Sequence, residues 1–340
     1  MSVSRSVLAC LGFCVALADA AAEAQTTEAF YQGRTVTLIV GTEAGGGYGI
    51  YGRLLARHIG HHIPGEPTII VQNMPGASGR RAANYMYSEA ARDGSVLGML
   101  EQNIPFTQAM GRDNVRFDTR DFNYLGNMSS SVSVVVAWNA AGVHTIADAQ
   151  SKELIIGATG GTGTTRVFAT LMNETVGTKF RIVTGYPGGN DINLAMERGE
   201  VGGRASYSWA SLKSGKPEWL REKKISILAQ IGLEKAADLP DVPLLLDLAK
   251  SKSDREVIWL FSSGADLGRV VLTVPKVPQS RVALLRTSFD ETMSDPALLA
   301  EAKRQDLDIS PIDGAAVEKV VDRVISTPPS IIQRAQHFLD

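Results

Sequence analysis

The chain has 340 residues, with 34 Lys and Arg against 36 Asp and Glu, and only two cysteines. This near-neutral balance gives no basic field for nucleic acid, so we expect no nucleic-acid partner. Both cysteines, Cys10 and Cys14, lie in the first 24 residues, so the rest of the chain excludes disulfides, thiolate metal sites and a cysteine nucleophile.

The N-terminus is typical of a secretory signal peptide. Arg5 precedes a short apolar stretch at 7–18, and the Ala-Glu-Ala run at 22–24 is a small-x-small cleavage sequence. The stretch is too short to cross a bilayer as a helix. The alternative, a lipid anchor at Cys10, has almost no apolar segment before that cysteine. We therefore expect cleavage near Ala24 and an exported, periplasmic protein long enough for two domains.

The first half of the remaining chain alternates strand and helix patterns. Apolar runs predict strands at 36–40, 68–71 and 95–100, and helical spacing of apolar residues predicts helices at 51–59 and 82–91. This order of elements is typical of a parallel sheet covered by helices.

The second half repeats the pattern. Strands are predicted at 132–137, 153–158, 180–183, 201–206, 225–231, 257–261 and 270–275. Helices are predicted after the cap residue Thr145 and at 166–176, 191–198, 279–294, 296–305, 314–326 and 330–339. The two halves predict an α/β fold of two lobes, each a mixed, mostly parallel sheet flanked by helices. We place domain 1 at 25–130 and 259–340, and domain 2 at 131–258.

Three glycine-rich loops each follow a predicted strand and precede a predicted helix. They span 41–49, 73–79 and 160–165. Such loops bring backbone N–H groups and a helix N-terminus close to one point, which suits an anion. Because ligands of open α/β sheets bind at the carboxyl ends of the strands, we expect the loops of the two halves to line a cleft.

The first loop contains Gly47-Tyr-Gly-Ile-Tyr-Gly52, which formally matches the G-x-G-x-x-G of dinucleotide sites. It begins seven positions after Val40, however, and no acidic residue follows the second strand. The third loop has no lysine and so is no Walker A site. An alternative stays open, in which the glycines only form tight turns and bind no ligand. These patterns argue against a nucleotide and leave open which other anion the loops bind.

Other polar groups have both an ordinary and a functional interpretation. One hydroxyl among Thr162, Thr164 and Thr165 suits a helix cap, and the others suit a carboxylate. Asp191 at a helix start is most often a cap, whereas a strand end with a hydroxyl and a ring, such as Ser206-Tyr207, is typical of a cleft lining.

Three histidines offer a metal site as a further alternative. His58, His61 and His62 have a helical spacing that metal ligands can use, but no Glu completes an H-E-x-x-H motif. Cationic side chains also suit the end of a helix. We predict no metal, no cofactor and no catalytic residue.

Several stretches together resemble a known family. They lie at 30–47, 53–57, 71–77 and 91–94 in the first half, and at 156–163, 185–189, 198–201 and 239–243 in the second. They resemble the substrate-binding proteins of tripartite tricarboxylate transporters, the Bug or TctC-like family, over nearly the whole chain after residue 24.

The resemblance implies a periplasmic binding protein of the Venus-flytrap type, which binds a small carboxylate and passes it to membrane permease subunits. We expect it to be a monomer. The predicted ligand-binding residues are Gly45, Gly46, Gly47, Tyr48, Gly76, Ala77, Ser78, Gly79, Thr162, Gly163, Thr164, Thr165, Tyr186, Asn190, Asp191, Ser206 and Tyr207.

The chain departs from the family pattern in places. Tyr48 and Gly49 stand where the family's first loop has a Ser/Thr-Asp pair, and Gly202 stands where the family has Asp. We expect these positions to change which acid is bound. Two other functions stay open, namely an exported α/β enzyme acting on a carboxylate and the ligand sensor of a two-component system.

Overall fold

The computed structural model describes residues 29–44, 47–159 and 163–339. The strands in chain order are β1 (Thr35–Val40), β2 (Thr68–Asn73), β3 (Val96–Met99), β4 (Asn123–Asn127), β5 (Ser133–Trp138), β6 (Leu154–Thr159), β7 (Phe180–Tyr186), β8 (Gly203–Ser208), β9 (Ile225–Ile231), β10 (Val270–Thr273) and β11 (Ile312–Asp313).

The helices in chain order are α1 (Gly47–His58), α2 (Arg80–Ser88), α3 (Ile104–Ala109), α4 (Ile146–Ser151), α5 (Thr164–Thr175), α6 (Gly189–Glu197), α7 (Trp209–Gly215), α8 (Pro217–Arg221), α9 (Lys252–Ser262), α10 (Gln279–Ser294), α11 (Pro296–Arg304), α12 (Gly314–Ile325) and α13 (Pro329–His337).

The first compact unit comprises the described residues up to Glu101, together with Arg116–Met128 and Arg269–Glu318. Its sheet has the strand order β11-β4-β10-β3-β1-β2. Strands β2, β1 and β3 are parallel neighbours, whereas β10 is antiparallel to both β3 and β4. Strands β1 to β4 therefore point the same way, and their carboxyl ends share one edge of the sheet.

The second compact unit comprises Gln102–Val115, Ser129–Gly268 and the chain from Lys319 onward. Its sheet has the strand order β7-β6-β8-β5-β9. Strand β6 is parallel to β7 and β8, and β5 is antiparallel to β8 and β9. Both sheets are therefore mixed, with most strands in one direction, and helices flank them, which confirms the predicted fold class.

The alternation of buried side chains explains why the second sheet is covered on both faces. Along β5, Val135 and Ala137 join one apolar cluster, while Val134 and Val136 join another. Successive side chains of a strand point to opposite faces, so an uninterrupted apolar run needs apolar cover on each side.

One predicted strand is wrong. Residues 257–261 belong to helix α9, whose cap residue Ser251 accepts a hydrogen bond from the backbone N–H of Asp254. The apolar run alone resembles a buried strand, but the Ser-x-x-Asp capping pattern before it favours a helix. Strand β4 and the helices α3, α7 and α8 were not predicted at all, because none has a clear apolar period.

The compact units divide the C-terminal part of the chain differently from the predicted domains. Residues 269–318 lie in the first unit, whereas Val324, Ile331 and Phe338 are buried in the core of the second. Residues 102–115 also belong to the second unit. Because units defined by contacts need not fold alone, the domain boundaries themselves stay a prediction.

Candidate functional site

The loops that follow β1, β2 and β3 meet around Gly41 in the first unit. The backbone N–H of Gly41 donates to the carbonyl oxygen of Met99 at 3.1 Å. A Cβ atom on Gly41 would lie 3.8 Å from the Cα atom of Gly79 and 3.9 Å from the backbone nitrogen of Glu101. The parallel strands thus gather the first two predicted glycine loops at one edge, where ligands of α/β sheets bind.

The first glycine loop leads directly into helix α1. The predicted residues Gly45 and Gly46 lie outside the described residues. Gly47 and Tyr48 are the first two residues of the helix, and Tyr48 is half-buried. Gly49 is buried, and the carbonyl oxygen of Ala44 occupies the space that a Cβ on residue 49 would need. A side chain at position 49 therefore does not fit this loop.

Arg269 places a positive charge beside the start of α1. The guanidinium carbon of Arg269 lies 4.5 Å from the ring centre of Tyr48 and 5.0 Å from that of Tyr51. Its Nη2 atom lies 3.0 Å from the position of a Cβ on Gly47. Sequence reasoning missed Arg269, because only the pairing of β10 with β3 and β4 brings it to this edge.

The second glycine loop is a left-handed turn. Gly76, Ala77, Ser78 and Gly79 have φ values of 137°, 50°, 51° and 81°. The N–H of Gly79 donates to the Gly76 carbonyl oxygen at 3.1 Å, and helix α2 follows at once. Left-handed φ values at non-glycine residues cost of the order of 1 kcal/mol each, and such strain gathers at binding sites. The anion-binding role of this turn stays a prediction.

A carboxyl group adjoins these loops. Glu101 follows β3 and is half-buried, and burial raises the pKa of its carboxyl above the usual range. The edge that gathers the glycine loops therefore also carries a group that keeps its proton more readily than an exposed glutamate does.

The third glycine loop begins helix α5 in the second unit. Thr162 lies outside the described residues, Gly163 precedes the helix and Thr164 is exposed in its first turn. Thr165 is buried, and its hydroxyl lies 3.0 Å from the backbone nitrogen of Thr159, which donates to it, and 3.1 Å from the Thr159 hydroxyl. The Thr165 hydroxyl thus ties the two ends of the loop together.

The tyrosine-containing turn joins β7 to helix α6. Tyr186 ends the strand and is half-buried, while Asn190 and Asp191 are exposed in the first turn of the helix. Asp191 suits the positive end of that helix.

Strand β8 contains a bulge at Ala205 and Ser206, directly before the predicted residue Tyr207. Ser206 is buried and has a φ of 62°, and the register with β5 shifts between Val134 and Val136. Tyr207 is also buried, and its hydroxyl accepts a hydrogen bond from Asn193 Nδ2 at 3.1 Å. A bulge of this kind redirects side chains next to binding sites.

Arg204 lies on β8 next to this bulge. Its guanidinium carbon is 4.1 Å from the ring centre of Tyr207, and Nη1 donates to the Gly189 carbonyl oxygen and to Asn193 Oδ1, each at 3.1 Å. Burial lowers the pKa of the guanidinium, and Tyr207 opposes that effect. Sequence reasoning missed this residue, although a charge within an otherwise uncharged strand was a signal.

The three histidines of the alternative metal site bind carboxylates instead. His58 Nε2 lies 2.8 Å from Glu301 Oε2, and His62 Nε2 lies 3.2 Å from Asp295 Oδ2. Within the described ranges, no group of three or more His, Cys, Asp or Glu is arranged to hold a metal ion.

A helix that crosses a membrane must be both long and apolar. None of the helices in the described part of the chain meets both requirements.

Comparisons with known proteins support one family. A curated protein of Cupriavidus necator, the "UPF0065 protein in gbd 5'region", is 27% identical over 256 residues, covering 72% of this chain and 73% of that protein. A TctC solute binding protein from Polaromonas, solved without ligand, has a TM-score of 0.71 at 19% identity, covering 89% of this chain and 99% of that one.

A second solved structure shares the fold. Rpa4515 of R. palustris with adipate has a TM-score of 0.58 at 18% identity, covering 89% of this chain and 98% of that one. The family described as "Tripartite tricarboxylate transporter family receptor", TctC, matches residues 55–336, most of the chain. The chain therefore belongs to the TctC family of solute-binding receptors, as the resemblance indicated, and is not an enzyme.

Proposed function

We propose that this chain is a periplasmic solute-binding protein that captures a small carboxylate and delivers it to the membrane permease subunits of a tripartite tricarboxylate-type transporter. Membership of a receptor family supports the binding role. The predicted signal peptide supports export, and the adipate bound to Rpa4515 supports a carboxylate ligand.

One observation carries the choice of an anionic ligand. In each unit, an arginine lies beside the first residue of a helix that follows a parallel strand. Arg269 Nη2 is 3.0 Å from a Cβ position on Gly47, where α1 begins, and Arg204 Nη2 is 2.6 Å from that on Gly189, where α6 begins. A guanidinium and the positive end of a helix dipole both favour an anion.

The proposed ligand contacts follow the strand ends of each unit. In the first unit they are the loop at 45–48 and the left-handed turn at 76–79. In the second they are the loop at 162–165, Tyr186, Asn190, Asp191, Ser206 and Tyr207. Backbone N–H groups, directly or through waters, are the expected donors. We further propose that the protein acts as a monomer.

Ligand binding is tested by thermal unfolding of the purified protein without its leader. We expect a carboxylate from a panel of acetate, succinate, adipate, malate, citrate and benzoate to raise the melting temperature, because a ligand that binds only the folded state stabilises it by mass action. If only sugars or cations raise it, the carboxylate assignment is wrong.

Delivery is tested in the source organism. We expect deletion of the gene to lower uptake of the stabilising acid, and cell fractionation to recover the protein from the periplasm. Unchanged uptake together with a lost transcriptional response to the acid would instead favour a sensor.

A further inference from the structure

Arg204 is an enclosed positive charge without a negative partner in the described part of the second unit. It is half-buried, and the groups that face it are Gly189, Asn193 and Tyr207, all of them uncharged. None of the residues that the structure describes places a carboxylate within ion-pair distance of its guanidinium. A charge withdrawn from water is costly unless an opposite charge compensates it.

Among the described residues, one edge of the guanidinium has no acceptor. Nη1 directs its two hydrogens to Gly189 and Asn193, while Nε is buried and no described residue accepts from it. A guanidinium carries five N–H donors, so Nε and Nη2 retain three. The Nε and Nη2 hydrogens lie side by side, in the spacing that matches the two oxygens of a carboxylate.

This edge lies where the fold favours a ligand. Gly189 is the first residue of α6, at the carboxyl end of β7, and β7 is parallel to β6. A Cβ on Gly189 would lie 2.6 Å from Nη2, so the absence of a side chain there leaves room for the guanidinium. The helix N-terminus adds positive potential at the same place.

We propose that the Nε–Nη2 edge of Arg204 binds one carboxylate of the ligand as a direct, bidentate ion pair. The proposal rests on the proposed function and gives it a charge requirement: the ligand must present an ionised carboxylate, and the corresponding amide is rejected. Tyr207 and Asn193 are positioning residues, because one stacks on the guanidinium and the other accepts from Nη1 and binds the Tyr207 hydroxyl.

The test compares four proteins: the natural chain, Arg204→Met, Arg204→Lys and the control Arg198→Met. Arg198 belongs to the same unit but is exposed. The panel acid that most stabilises the natural chain is titrated by calorimetry, alongside the analogue in which one carboxyl is an amide. Circular dichroism and thermal unfolding establish that each variant folds.

We expect Arg204→Met to weaken binding of the acid at least tenfold, about 1.4 kcal/mol, and to abolish the preference for the acid over the amide. Arg204→Lys keeps the positive charge but loses the paired N–H donors of the guanidinium, so it should retain the preference for the acid at lower affinity. If the methionine variant does not fold, the lysine variant replaces it in the test. Arg198→Met should bind like the natural chain.

Two results would overturn the proposal and leave the proposed function intact. The first is an affinity of Arg204→Met for the acid within twofold of that of the natural chain. The second is an equal loss of affinity for the acid and for the amide, because a purely structural role of Arg204 would weaken both. Undiminished affinity of Arg204→Lys also contradicts bidentate pairing. If no acid of the panel stabilises the natural chain, the proposed function itself fails, and this proposal fails with it.

Discussion

The carbonyl oxygen of Ala44 occupies the space that a Cβ on Gly49 would need. The loop after β1 therefore packs directly against the first turn of α1. Arg53 Nη1 donates to the same carbonyl oxygen at 2.9 Å. The aspartate that the resemblance leads us to expect at this position does not fit here. The departure at residue 49 is thus a change in loop packing as well as in side-chain chemistry.

Substituting Gly49 should destabilise the protein. We expect Gly49→Ala to lower the free energy of unfolding by about 1–3 kcal/mol, because the methyl group forces the backbone of the loop to move. Urea unfolding measures the change. Gly215→Ala is the matched control, since a Cβ there meets nothing within 4 Å and its effect should be small. Equal stability of the two variants would contradict the packing argument.

Substituting Thr165 should affect folding more than binding. Thr165→Val leaves the backbone N–H of Thr159 without its acceptor, which costs about 1–3 kcal/mol when the group is buried. We expect Thr165→Ser to keep the hydrogen bond and most of the stability, as measured by urea unfolding. If Thr165→Val unfolds like the natural chain but no longer binds the acid, the hydroxyl contacts the ligand instead.

The pair of Asp254 and Arg334 should stabilise the second unit above acidic pH. Burial raises the pKa of Asp254, but hydrogen bonds from Ser251 and Arg334 outweigh it, so the pKa lies below its usual value. A lowered pKa gives stability that is present above about pH 4 and is lost as the pH falls through the folded-state value.

We therefore expect Asp254→Asn to lower the free energy of unfolding by about 1–3 kcal/mol at pH 7. The partial exposure of Arg334 limits this effect through screening by water. The difference between the variant and the natural chain should shrink as the pH falls below about 4. Asp247→Asn is the control, because Asp247 and Arg255 form an exposed pair that contributes little. A difference that does not change with pH would show that Asp254 acts through packing alone.

Asp266 should have the opposite pH dependence. Burial, with a smaller contribution from Glu234, raises the pKa of Asp266 to about 6. A raised carboxyl pKa favours the folded state below the unfolded value near 4, and this advantage is lost as the pH rises through 6.

Replacing Asp266 by Asn removes the ionisation. We expect Asp266→Asn to gain stability relative to the natural chain as the pH rises from 4 to 8, by at most about 3 kcal/mol. Denaturant unfolding across that range measures it. A constant difference across that range would contradict a raised pKa, and Asp290→Asn offers a comparison at a less buried carboxyl.

Local patterns in the sequence predicted most of the fold. Apolar runs bounded by glycine loops predicted β1, β2 and β6 with their following helices, because a strand, a loop and a helix cap are properties of neighbouring residues. The run at 257–261 was assigned to a strand because its apolar residues are contiguous, and only the cap at Ser251 distinguishes it as a helix.

The candidate site was predictable only in part, because local patterns do not reveal contacts between residues that are distant in the chain. Its glycine loops are local, but Arg269 reaches the first of them through the pairing of β10 with β3 and β4. Arg204 reaches Gly189 through the pairing of β8 with β6 and the packing of α6. Contacts between residues so distant in the chain follow from sheet topology, which the order of elements alone does not determine.

The burial of Val324, Ile331 and Phe338 in the second unit has a consequence for how the protein is made. The core of that unit contains side chains from residues 324–338 as well as from the middle of the chain, so its apolar cluster is incomplete until those residues have been synthesised. A chain that ends before residue 324 would expose the part of α9 that α13 covers. We therefore expect the second unit to become fully resistant to protease only when α12 and α13 are present, and chains truncated before residue 324 should remain sensitive to protease there.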